Sequence, residues 1–431
     1  MQRLSTTGLK TRHLVAQSVQ SCLPEGLPYN WDEKLRELVV GICLSRSLLL
    51  QSIAQTRPGH VRTNENNLSA FLSQKRLEMS PAQRACIINA LKRMSRRRLW
   101  KHGGKAAVII DGTSHAKIRS RGKQRAMPGK GKVRLHNLPT DETILVPGYQ
   151  EIWCCLLLAD QTVLPITRRL WSENGPDCAS MNLAEEAEIR RAADLIRETF
   201  KLDVILVADS GYRRKELLHW LKKVEGLDFV IRIEGNLTIT AGKSKGLLDG
   251  LGPWWPKRLT IQWRETSKRM LLSDVSSRQI SVKTTAKESV SFNALCLTPT
   301  IGNAEPMYLA TTLTTEMNED LRMIVRLYSW RWGIETFFWK FKQALGANSW
   351  RVFSSWDAID RLLTAAHMAY LVLVLMMEFA KRGSTAAMRE LMDHLEEGLR
   401  SRFARPVEEM TLGRFLRLIA MDFPSPYPAG L

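Results

Sequence analysis

An α/β fold is expected from this sequence: a mixed sheet flanked by helices, carrying a β-rich insertion and bounded by helical N- and C-terminal regions. Between residues 105 and 233, apolar β-branched runs alternate with amphipathic stretches, as strands and helices do in one layered sheet. Between 234 and 315 the pattern changes to short alternating strands separated by Gly- and Pro-rich turns. On either side, apolar residues recur at helical spacing.

The elements follow in order. Leu35, Leu38, Val39, Ile42, Leu49 and Ile53 keep helical spacing, so the first hundred residues read as helices. A further helix is expected to start with Ser80 as N-cap, Pro81 in the first position and Gln83 closing a capping box. It runs into Lys92, Arg93, Arg96, Arg97, Arg98 and Lys101, a one-signed run that is either a phosphate-contact surface or a solvated face. Residues 106–110 read as a buried strand ending at Asp111-Gly112. Residues 148–159 and 162–171 form two more strands joined by a turn at Asp160-Gln161. A helix over 183–200 is expected with Asn182 and Glu185 as its capping box. A strand over 203–208 ends in Asp209, and a helix with Leu217, Leu218 and Leu221 leads to a strand over 228–233. Hairpin strands followed by strand–helix alternation imply a mixed sheet. The insertion carries strands at 259–263, 291–297 and 307–312, and helix returns at 318–345 and continues to the end. The apolar run 362–377 spans about sixteen residues, short of the roughly 20 that cross a bilayer, and reads as a buried helix.

Composition narrows the class. Lys and Arg outnumber Asp and Glu by 63 to 43, a net charge of +20, which favours a polyanionic partner: nucleic acid first, an acidic membrane surface second. A hydrophobic content of 44% is ample for a soluble core, and 431 residues exceed one typical domain. The seven cysteines are scattered without a CxxC pair, which argues against a disulfide framework or a zinc finger and for a reducing compartment. No secretory signal is visible in the first seventeen residues, which are polar and basic.

Asp111 and Asp209 sit at strand ends, where α/β sheets place their ligands. Either alone also reads as a helix cap; two of them on neighbouring buried strands in so basic a chain point to a metal site. The strongest signal is Tyr328, Arg331, Glu335 and Lys342. At 100° per residue these share a stripe about 60° wide, beside an apolar stripe of Leu327, Ile334, Phe338, Phe341 and Leu345. A surface helix with an Arg331–Glu335 pair is the plainer alternative. Weaker candidates follow. Lys117, Arg119, Arg121, Lys123, Arg125, Lys130, Lys132 and Arg134 lie in a Gly-containing segment with little apolar content, either a loop that orders on DNA or a solvated one. Trp254, Trp255, Trp263, Tyr308 and Trp332 are stacking candidates or core, Trp332 being the best placed for stacking. His115 is read as structural.

The spacing Tyr-x2-Arg-x3-Glu-x6-Lys resembles the signature of IS4-type insertion-sequence transposases of the DDE class. The segments IDGTS around Asp111 and VADSGY around Asp209 are similar to those carrying that family's first two acidic residues. The order of elements is similar too: an RNase H-like core interrupted by a β-rich insertion between the second Asp and the Glu. The resemblance covers about 105–350. It implies residues 1–103 as a helical DNA-binding domain, 104–233 and 316–378 as the two parts of the RNase H-like core, 234–315 as the insertion and 379–431 as a C-terminal helical region. It further implies a cut-and-paste transposase in the bacterial cytoplasm beside the nucleoid, acting as a homodimer on double-stranded DNA: terminal inverted repeats and target. Asp111, Asp209 and Glu335 would hold two Mg²⁺ ions, with Mn²⁺ able to substitute, and cut and join DNA through them. Tyr328, Arg331 and Lys342 would hold phosphates near the cleaved end. Two rivals stand beside this reading: an RNase H-like nuclease without strand transfer, and a repressor of its own element that binds DNA without cutting. In hairpin-forming relatives of that family a Trp stands near the position of Tyr308, where this chain has Tyr.

Overall fold

The computed structural model describes residues 6–24, 31–94, 98–116, 131–135, 144–176, 180–241, 244–251, 258–264, 269–283, 288–301, 305–347, 350 and 355–382. Arg96, Arg97, Lys117, Arg119, Arg121, Lys123, Arg125, Trp254, Trp255 and the region past 382 lie outside the described residues.

Five helices open the chain: α1 (Thr6–Cys22), α2 (Trp31–Ser45), α3 (Leu50–Gln55), α4 (Val61–Leu72) and α5 (Ser80–Arg93). Strands β1 (Lys101–His102), β2 (Lys105–Ala116), β3 (Gly131–Leu135), β4 (Ile144–Leu157) and β5 (Val163–Trp171) follow. Then come α6 (Met181–Phe200), β6 (Asp203–Ala208), α7 (Lys215–Lys223) and β7 (Leu227–Ile233). The β-rich stretch holds β8 (Thr238–Ala241), β9 (Ser244–Leu247), β10 (Leu259–Arg264), β11 (Met270–Lys283), β12 (Ser289–Pro299) and β13 (Met307–Thr311). Helices α8 (Asn318–Ser329), α9 (Gly333–Trp339) and α10 (Trp356–Arg382) close the described chain.

Among the described residues the thirteen strands join in one sheet. Its heart is the order β5-β4-β2-β6-β7, with β5, β4 and β2 paired antiparallel and β2, β6 and β7 parallel. That mixed order is the RNase H-like arrangement expected above. The β-rich stretch is not a detached module: β13 pairs antiparallel with β7, Tyr308 opposite Ile233, so its strands extend the core sheet.

Helix α10 is apolar on nearly every face, the composition of a buried helix. It packs against α1, α2, α4, α5 and β5, so the N-terminal helices and the sheet share one core. Its segment Trp356–Glu378 is long and apolar enough to cross a membrane, yet 94% of the apolar window is buried inside the protein. The run is therefore longer than expected, but its reading as a buried helix holds. Helix α10 also runs across the boundary expected between 378 and 379.

Both expected capping boxes are corrected. Helix α5 is preceded by Met79, and Ser80 lies in its first turn without a side-chain cap. Gln83 is drawn inward: its amide donates to His367 Nδ1 at 2.9 Å and its Oε1 accepts from Arg191 at 3.2 Å. A buried imidazole needs partners, and that need outweighs a cap on an exposed turn. Helix α6 is capped by Ser180, whose hydroxyl accepts from the Leu183 N–H at 3.3 Å, while Glu185 accepts from Arg214 at 2.6 Å. The expected continuous helix over 318–345 is interrupted by a 3-10 turn at Trp330–Trp332 and a π turn at Lys340–Ala344.

His367 completes its pairing by donating from Nε2 to the Pro165 carbonyl at 3.0 Å. Burial pulls its pKa down to about 3, so the ring is neutral in the fold. The unfolded chain binds this proton below about pH 6.5. Stability is therefore expected to fall by about 1.4 kcal/mol per pH unit as pH drops from 6.5 toward 3. Urea midpoints at pH 7 and pH 5 measure this, and in His367→Gln the slope should be shallower; an unchanged slope would refute the assignment.

Candidate active site

Strands β2 and β6 run parallel, with Lys105 opposite Asp203 and Ile109 opposite Val207. The pairing ends there, two residues before Asp111 and Asp209, and the two carboxylates are near enough for Asp209 to raise the Asp111 carboxyl. Strand β6 stops at Ala208, and Asp209 caps the following 3-10 turn by accepting the Gly211 N–H at 2.8 Å. Asp111 accepts the Gly112 N–H at 2.8 Å. Asp111 is not a strand terminus, as the sequence suggested: β2 continues to Ala116, paired with β4. It stands where the parallel pairing with β6 ends.

The third carboxylate arrives on α9. This helix begins against the β4–β5 turn, and the contact depends on Gly333. A Cβ there would stand 2.8 Å from Val163 Cγ1 and 3.0 Å from the Gln161 carbonyl oxygen. The carbonyl is backbone and cannot swing aside. Gly333→Ala is therefore expected to displace Glu335 by a few tenths of an ångström, and Gly333→Val by more. If the site cuts DNA, misplacement on the order of 1 Å costs about 100-fold in rate. Cleavage rates and far-UV circular dichroism of the pair test this; full activity in Gly333→Val would refute it.

Arg331, from the 3-10 turn, joins the carboxylates. Its NH1 lies 3.6 Å from Asp111 Oδ2 and its NH2 3.4 Å from Glu335 Oε1. It is only 7% exposed, and its guanidinium carbon lies 5.3 Å from the Trp332 ring centroid and 5.9 Å from that of Tyr328. Tyr328 is buried, and Trp332 half-buried. Lys342, on the π turn, donates to the Ser114 carbonyl at 3.0 Å and so ties the helix to β2 beyond Asp111. The structure thus brings Asp111, Asp209, Tyr328, Arg331, Trp332 and Glu335 together, while Lys342 lies further along β2, toward Ser114 and Glu151.

The electrostatics are unbalanced toward negative charge. Burial and the facing Asp209 carboxylate push the Asp111 carboxyl up to about 7, against the pull of Arg331. Burial also raises Glu335 and the Tyr328 phenol and lowers the Lys342 ammonium. Among the described residues, no three His, Cys, Asp or Glu side chains stand together as a ready metal cage. The donor chemistry nevertheless suits a hard divalent cation: carboxylate oxygens crowded beyond what one guanidinium neutralises.

Other sequence candidates take structural places. Arg98 is paired with Asp160 at 2.8 Å and with Glu378. Trp263 is buried and donates to Ser273 Oγ at 3.1 Å, and Tyr308 is buried on β13. Two features went unread. Trp339, on α9, is 62% exposed, a large ring near the site that helical spacing alone did not single out. Behind β2, Glu151, His115 and Arg168 form a buried charged cluster, signalled in sequence only by charges inside two apolar strands.

No curated protein matches the chain. The stretch from α6 into α10 does have a counterpart: residues 179–372, which hold Asp209, Tyr328, Arg331, Glu335 and Lys342 but begin after Asp111, match the family model described as the transposase DDE domain.

Proposed function

We propose that this protein is a DDE transposase of the IS4 type that cuts DNA at transposon ends and joins the freed ends to target DNA. The observation that supports the reading is Arg331 within 3.6 Å of Asp111 and 3.4 Å of Glu335, with Asp209 near enough to raise the Asp111 carboxyl. Asp111, Asp209 and Glu335 would hold two Mg²⁺ or Mn²⁺ ions. Such ions, when bound, activate the attacking oxygen and stabilise the leaving one. Arg331 supplies positive charge between two of the carboxylates, and its planar fork is suited to a phosphate once that charge is supplied otherwise. Lys342 fixes the helix to β2, and Tyr328 packs under Arg331 and holds its orientation. The excess of basic residues favours double-stranded DNA as partner, and joining two ends calls for two copies of the chain.

The test is a cleavage and joining assay with Mg²⁺ on DNA carrying the element's own ends, comparing the native chain with Asp111→Ala, Asp209→Ala and Glu335→Ala. Nicked ends followed by joined products, absent from all three variants, are expected. Cutting without joining would reduce the protein to a nuclease of the same fold. Binding without any metal-dependent product would make it a repressor.

A further inference from the structure

A cavity of about 170 Å³ lies between the β1 hairpin and one face of α8. Trp100, Lys101 and His102 line one side, and Glu319, Arg322, Arg326 and Trp330 the other. The last three recur every four residues, so they form one stripe along α8 into the turn after it. The two tryptophan rings meet edge to face, with centroids 6.2 Å apart. Arg322 pairs with Glu319 at 2.6 Å. Among the described residues, Lys101, His102 and Arg326 have no acidic partner within ion-pair distance, and all three are exposed.

The volume sets the size of the guest. An enclosed cavity of roughly 150 Å³ holds one benzene-sized ring, so this hollow, open to solvent on one side, has room for a single flat ring. The surplus cations at its mouth call for an anion attached to that ring. An aromatic ring joined to phosphate is a nucleotide, and indole edges with arginines are the groups that hold an unpaired base and its backbone. We propose that this cavity binds one unpaired nucleotide of a DNA strand, its base against Trp100 and Trp330 and its phosphates at Lys101, Arg322 and Arg326. The choice of DNA rests on the DNA-cutting reading above. Trp330 immediately precedes Arg331 in the same turn, which places the cavity beside the helix segment that carries the carboxylate site.

The test measures binding without metal, so that no cutting is needed. The probes are a short single-stranded oligothymidine, its duplex with oligoadenosine, and thymidine monophosphate. Arg322 and Arg326 are exposed, so the double variant R322Q/R326Q should fold normally. It is expected to lose about tenfold in single-strand affinity at low salt and to flatten the log-affinity against log-salt slope by about 1.4. Oligothymidine carrying iododeoxyuridine should photocrosslink to the peptides containing Trp100 or Trp330, and Trp100→Phe, which preserves packing, should reduce that yield. An unchanged affinity and slope would overturn the proposal. So would crosslinks confined to other peptides, or thymidine monophosphate binding as tightly as the oligonucleotide. The two readings fail separately: single-strand binding here without Mg²⁺-dependent cutting sinks the transposase reading alone, and cutting without binding here sinks the cavity alone.

Discussion

Asp111→Asn is expected to abolish Mg²⁺-dependent DNA cleavage and, at the same time, to raise the melting temperature of the metal-free protein. Both effects have one origin. Asp111 is held against Asp209 in a desolvated place, and its carboxyl is pushed up to about 7 by burial and by that neighbour. A carboxyl whose pKa is raised in the fold is better tolerated protonated. Its ionised form therefore costs stability, a cost that grows from about pH 4 and is complete above about pH 7. At 1.36 kcal/mol per unit the upper bound is roughly 4 kcal/mol. Asparagine keeps the carbonyl oxygen that accepts the Gly112 N–H and loses only the long contact to Arg331. Removing the charge relieves the repulsion but removes a hard-oxygen ligand, and a rate loss of at least about 1,000-fold is expected of a group on which the leaving oxygen's stabilisation depends. Mg²⁺ should raise the melting temperature of the native chain, since a ligand that binds only the fold stabilises it. It should leave Asp111→Asn unmoved. A variant that melts lower than the native chain, or that still responds to Mg²⁺, would refute the account independently of any cleavage assay.

The strand that leads to Asp209 was legible because it is short and apolar on both faces. The boundaries expected for the strand over 203–208 match β6 residue for residue, and the turn at Asp160-Gln161 lies where β4 gives way to β5. The segment that carries Glu335 was read as one continuous helix, and its geometry differs. A uniform 100° step cannot anticipate a 3-10 turn at Trp330–Trp332, because the turn arises from tertiary contacts: Arg331 turning in toward Asp111 and Gly333 seating on the Gln161 carbonyl. The caps failed for a similar reason. Gln83 had the right spacing from Ser80, but a histidine 284 residues away claimed it. The pairing of β13 with β7 joins segments far apart in sequence, and no local pattern announces it. The strand positions of Asp111 and Asp209 are set by local sequence, whereas the charges that shift Asp111 and Glu335 come from elsewhere in the chain.

Arg168→Ala should destabilise the protein by about 3–5 kcal/mol, the cost of stranding a buried charge. Arg168, on β5, donates from Nε to Glu151 at 2.8 Å, from NH1 to Thr364 at 2.7 Å and from NH2 to Asp360 at 2.8 Å. Glu151, on β4, is wholly buried and takes its other hydrogen bond from His115 Nε2 at 2.6 Å. The cluster clamps β2, β4, β5 and α10 together behind the site, since His115 lies on the same strand as Asp111. Burial alone would push the Glu151 carboxyl up, but Arg168 and His115 hold it down to about 2. Its contribution is therefore present above about pH 4.5, the ordinary carboxylate range, and is lost as pH falls through 2. Without Arg168 that sign reverses: burial is left opposed by His115 and Lys342, and the carboxyl should rise. The double variant E151L/R168L removes both charges and replaces them with apolar groups, so it should recover most of the stability lost by Arg168→Ala. Chemical denaturation of the native chain, both single leucine variants and the double variant gives the coupling energy directly. If the double variant is no more stable than Arg168→Leu alone, the loss belongs to packing against Thr364 and Asp360 and not to the stranded carboxylate. If it recovers, the charge cluster is dispensable for folding, and its effect on the cleavage rate then reports whether β2 holds Asp111 in register without it.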